Sequence, residues 1–212
     1  MPVSFSKEVD KFLHIRLASL GFEKRKMGIM TIKISDDFLG WIGFNKATRG
    51  LIGAVEVNPV VGVRNQRIEE LVAELMERKV DKVIPATLAG NIGYMMPANK
   101  YTHFFFSRDA SLEPAAQVLV QDVRDYGLPF IREHSEMSAL VQGLRTSRFA
   151  IDYLADYRIP VALFLLNKMD EVEANLDATL KKTGDRQDAA ASQYKLFAAN
   201  LARRLQSRPK SA

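Results

Sequence analysis

Apolar residues open the chain at helical spacing: Phe5, Val9, Phe12, Leu13, Leu17 and Leu20. This spacing predicts a helix over residues 4–20, with Ser4 or Ser6 as its cap and Gly21 as its stop. The period then changes to two. In "KMGIMTIKI", Gly28, Met30, Ile32 and Ile34 share one face of a pleat, and Met27, Ile29, Thr31 and Lys33 share the other. "FLGWIGFNKAT" predicts a second strand and "LIGAVEVNPVVGV" a third, with "TRG" as a hairpin link. Pro59, inside the third strand, implies a bulge or a sheet edge.

Helical spacing returns in "NQRIEELVAELMERK", where Asn65 is a good cap and Ile68, Leu71, Val72, Leu75 and Met76 form one face. Between residues 83 and 107 the punctuation by Pro85, Gly90, Gly93 and Pro97 predicts a loop, a short strand near "IGYMM" and a strand at "KYTHFFFS". From residue 111 onward only helices are expected. One is capped by Ser111 and stopped by Gly127, one is capped by Ser135, and two or three more run from about 148 to 206.

Strands gathered early and helices gathered late give an α+β class. The expected architecture is a small, mostly antiparallel sheet of three to five strands with packed helices and an all-helical C-terminal half. Residues 1–110 would form the helix and sheet core, residues 111–206 a helical part packed on it, and residues 207–212 a flexible tail.

Charge changes this picture only at one end. Of the net +5, the stretch 181–212 carries eight basic residues against two acidic ones, which leaves the preceding 180 residues at −1. Arg203 and Arg204 lie in that basic stretch, so weak, non-specific nucleic-acid binding enters as an alternative function. The chain has no cysteine, which removes disulfides, thiolate metal sites and a cysteine nucleophile. Charges interrupt the start, and no segment reaches the apolar length of a membrane helix, so a cytoplasmic protein without a membrane partner is expected.

The string Asn167-Lys168-Met169-Asp170 follows an apolar run, as the guanine-specificity motif of a GTPase does. The phosphate loop Gly-x-x-x-x-Gly-Lys-Ser/Thr is absent from the sequence, however. Leu165, Met169, Val172, Leu176 and Leu180 also carry a helical stripe through the motif. Two helices joined at these residues, with Asp170 capping the second, account for the string without guanine binding.

Other chemistry is sparse. His14, His103 and His134 lack metal-ligand spacing, and neither a metal site nor a cofactor is expected. His134 in "REHSE" is the one histidine in a polar cluster. Arg64 and Arg67 stand at a strand-to-helix junction, where a helix N-terminus and arginines suit an anion. Asp37, Glu56 and Asn58 weakly echo a metal-dependent nuclease, with Asn in place of the required Lys. An unrecognised hydrolase or nuclease is therefore a further alternative.

Three stretches together are similar to known sequences: "SLGFEKRK", "VNPVVGVRNQRIEELV", and "DYGLPFI" before "SALVQGL". They resemble a loose group of uncharacterised bacterial proteins that carry a domain of unknown function, and the resemblance spans much of residues 12–182. It implies a small α+β protein, in some cases from immunity or defence neighbourhoods, and it carries over no catalytic residue. The expectation that results is a non-enzymatic domain whose partner is another protein.

Overall fold

The computed structural model describes residues 4–48, 53–146, 149 and 152–207. The "TRG" link, except Thr48, and the tail beyond Ser207, with Arg208 and Lys210, lie outside the described residues. The described elements run α1 (Phe5–Ala18), β1 (Glu23–Lys24), β2 (Met30–Lys33), β3 (Phe38–Ala47), β4 (Ala54–Asn65), α2 (Gln66–Leu75), β5 (Leu88–Asn91) and β6 (Phe104–Ser107). Helices alone follow: α3 (Glu113–Asp122), α4 (Leu128–Glu133), α5 (Met137–Thr146), α6 (Asp152–Leu165), α7 (Met169–Thr183) and α8 (Ala189–Gln206). The α+β architecture, with an all-helical C-terminal region, is as expected.

The chain divides into two compact units, each assembled from two stretches of sequence. The first comprises residues 1–64 and 89–135 and holds the sheet. Its strand order is β1-β2-β3-β4-β5, with β6 also paired to β4. The β1–β2, β2–β3 and β4–β6 pairings are antiparallel. β4 has neighbours on both sides, so Pro59 sits in a central strand, two residues beyond the Val57↔Phe104 pair that ends the β6 pairing.

Helix α1 buries Val9, Leu13 and Leu17 completely, the stripe that its spacing predicts. Gly40 on β3 explains how α4 approaches the sheet. A Cβ there would come within 2.6 Å of Ile32 Cγ2 and 2.9 Å of Ile131 Cγ2, too close for any side chain.

Two local expectations are corrected. Gly127 does not stop a helix: Val123–Gly127 forms a π-turn that joins α3 to α4. The strand expected near "IGYMM" lies earlier, at Leu88–Asn91, and Ile92–Tyr94 is a 3-10 turn. Asn91 causes the turn. Its amide oxygen accepts from the Gly93 and Thr102 backbone N–H groups at 3.0 and 2.9 Å, and its amide nitrogen donates to the Thr102 carbonyl at 2.8 Å. Those bonds take the chain out of the extended path that the apolar residues suggest.

The second unit, residues 65–88 and 136–212, is formed by α2 and α5–α8. Asn65 caps α2 by accepting from the Ile68 N–H at 2.9 Å. Side chains of α8 satisfy carbonyls at the other end of α2: Asn200 donates to the Leu75 carbonyl at 2.8 Å and Gln193 to that of Met76 at 3.2 Å. Leu163, Val172, Leu176, Phe197 and Leu201 form much of the core of this unit.

Candidate functional site

The string Asn167–Asp170 falls at the joint between α6 and α7. Asn167 has a positive φ of 60° and Lys168 is the N-cap of α7. Asn167–Asp170 therefore spans the turn of a helical hairpin. Asp170 lies inside the first turn of α7 and is not its cap, because α7 begins one residue before it, at Met169.

The candidate anion-binding arginines are not equivalent. Arg64 is fully buried in β4, whereas Arg67 is exposed in the first turn of α2. Its burial leaves Arg64 no surface on which to meet a partner. His134 ends α4, where Nδ1 donates to the Phe130 carbonyl at 3.0 Å and the imidazole lies 4.3 Å from the Phe130 ring centroid. Ser135 does not cap α5. It donates to the Ile131 carbonyl at 2.6 Å, and Glu136 accepts from the Ala139 N–H at 3.1 Å in its place.

Arg203 and Arg204 end α8 and are occupied locally. Arg203 bonds to Asn200, and Arg204 Nη1 lies 2.7 Å from Glu74 Oε1. Tyr194 and Phe197 of the same helix are buried, so they offer no base-stacking surface. Among the described residues, no group of three or more histidines and carboxylates is placed to hold a metal ion. Asp37 sits in the turn before β3, and Glu56 and Asn58 lie on β4.

A different set of residues does converge. Along β6 and the extended segment that leads into it, side chains alternate between the core and the outside. Phe104 and Phe106 are buried, while Phe105 is 53% exposed and Tyr101 is 50% exposed. Tyr94, Tyr101, His103 and Phe105 form an unbroken row of rings, with successive centroids 6.4, 6.5 and 4.8 Å apart. Glu56 stands opposite Phe105 in the β4–β6 register. Its carboxylate lies 3.8 Å from His103 Nδ1. Partial burial raises the pKa of the Tyr101 phenol above its ordinary value, and Glu56 and Tyr94 add to the effect.

The sequence carried a signal for this row. "KYTHFFFS" was expected to be a strand, and strict alternation along it puts Tyr101, His103 and Phe105 on one side and Thr102, Phe104 and Phe106 on the other. Three successive aromatic rings on the outer side, before Ser107, are unusual where a strand meets water, and the alternation makes them visible.

No family model, no curated protein and no solved structure matches the chain. Among the described residues, no helix is long and apolar enough to cross a membrane.

Proposed function

We propose that the protein is a protein-binding domain and that it receives its partner on the outer side of β6. The observation that carries this reading is the exposed row Tyr101–His103–Phe105. Aromatic side chains are enriched at the centres of protein interfaces, because they offer large contact area at low entropic cost. Tyr101 and Phe105 are half exposed, yet both are large and apolar in body. Glu56 and His103 add a polar edge that sets orientation.

The backbone supports the same reading. Among the described strands β6 pairs with β4 alone, and an incoming extended segment that paired along its other edge would add a strand to the sheet. Inhibition of a cognate protein, the work of an immunity component, is one form of such binding.

The test is comparative capture from the organism that carries the protein. A partner held by the wild type should be lost with the pair Tyr101→Ser and Phe105→Ser and retained with Val118→Ser, an exposed position on α3. Equal capture by both variants would contradict the proposal.

A further inference from the structure

The Glu56 carboxylate stands among the rings of the aromatic row, opposite Phe105 in the β4–β6 register and 3.8 Å from His103 Nδ1. Resting on the reading of β6 as a binding surface, we propose that the partner presents an arginine here, its guanidinium paired with Glu56 and stacked on the exposed rings of Tyr101 and Phe105.

The first observation is a shortage of donors. The Glu56 side chain is only 25% exposed, yet among the described residues its carboxylate accepts no hydrogen bond. The His103 nitrogen lies beyond hydrogen-bonding distance of it. Asn58 follows two residues along, on the same face of β4. It is 7% exposed, and its Oδ1 is buried without a hydrogen-bond partner. Both deficits are of acceptors. Buried polar groups are nearly always satisfied, so the group this face lacks is a donor. A guanidinium carries five N–H donors in a planar fork that matches a carboxylate.

Charge and rings agree on a cation. Among the described residues no lysine or arginine pairs with Glu56, and Lys100, next to Tyr101 in the chain, is exposed and does not reach it. The Tyr101 phenol senses the Glu56 charge, which adds to the rise that burial causes. The rings of Tyr101 and His103 are turned 52° to each other, and those of His103 and Phe105 78°, so the row offers ring faces as well as edges. Ring faces attract cations, and arginine stacks on them while its fork stays free to pair.

The row is also held in place before a partner arrives. Asn91 bonds both backbone groups of Thr102, and Phe104 and Phe106 are buried. Little order therefore has to be gained on binding.

Selection of a random heptapeptide library on the full chain tests the proposal, after removal of peptides that bind the double variant Tyr101→Ser, Phe105→Ser. Arginine should be enriched at one position of the selected peptides, and selection on Glu56→Gln should show no such enrichment. By calorimetry, an enriched peptide should bind wild type about tenfold more tightly than its form with glutamine in place of that arginine, and Glu56→Gln should erase the difference. Glu56→Gln should leave Tm unchanged, because the carboxylate makes no internal hydrogen bond. Selected peptides without arginine enrichment, the same enrichment on Glu56→Gln, or a lower Tm for that variant would overturn the arginine and leave the β6 surface standing. Failure to select any peptide that depends on Tyr101 and Phe105 would overturn both.

Discussion

Arg158 and Glu69 form a buried ion pair across 89 residues of sequence: Arg158 Nε lies 2.8 Å from Glu69 Oε1, with the residues 3% and 7% exposed. Thr87 completes the arrangement. Its hydroxyl donates to Glu69 Oε1 at 2.8 Å and accepts from the Asn65 N–H at 2.9 Å, and its carbonyl accepts from Arg158 Nη1 at 3.0 Å. The same Asn65 caps α2, so the network ties the start of α2 to the middle of α6.

Breaking such a pair on one side leaves a buried charge. Glu69→Ala alone should therefore cost about 3–5 kcal/mol, as read from denaturant unfolding. The double variant with Arg158→Met should recover a large part of that loss. A single variant within about 0.5 kcal/mol of wild type would mean that the pair is open to water.

The hairpin of α6 and α7 is tested by Leu176, which is buried, against Lys168, which is exposed. Leu176→Ala should destabilise by about 2–5 kcal/mol, and Lys168→Ala by much less. Lys168 makes only a surface pair with Glu171, 2.9 Å away. Equal, small shifts in Tm would contradict the packing of α7.

His14 predicts a pH dependence. Nε2 donates to the Gly28 carbonyl at 3.1 Å, while Nδ1 is buried without a partner. Burial is the main cause that lowers its pKa below 6.5, with Lys24 and Lys46 adding, and the Gly28 bond and Asp10 opposing. A depressed pKa means that the unfolded chain binds the proton more readily. The contribution of His14 is therefore present above about pH 6.5 and is lost as pH falls through the lower, folded value. Wild-type Tm should fall more steeply below pH 6.5 than that of His14→Gln. Parallel curves would contradict this environment for the ring.

The elements were legible where periodicity was strong. Val9, Leu13 and Leu17 on α1, and Val172 and Leu176 on α7, lie buried where their spacing put them. The Gly127 stop failed because a π-turn absorbs the glycine and keeps the helix running, so local propensity was overridden. The "IGYMM" strand failed because Asn91 bonds to residues two and eleven positions ahead, which hydropathy does not encode. The Arg158–Glu69 pair was invisible for a related reason: only the fold brings the two helices together. The sites were harder still. Arg64 was paired with Arg67 as an anion-binding candidate because both stand at the strand-to-helix junction, and their spacing does not reveal that one is buried and the other exposed.

The β6 surface is tested most directly by photo-crosslinking inside the native cell. A photoreactive phenylalanine analogue replaces Phe105 in one strain and the exposed Val118 in another. Adducts of one discrete mass, containing this chain and a different protein, should form from position 105 and not from position 118. Adducts from both positions alike, adducts of this chain with itself alone, or none from position 105 would contradict partner binding at β6.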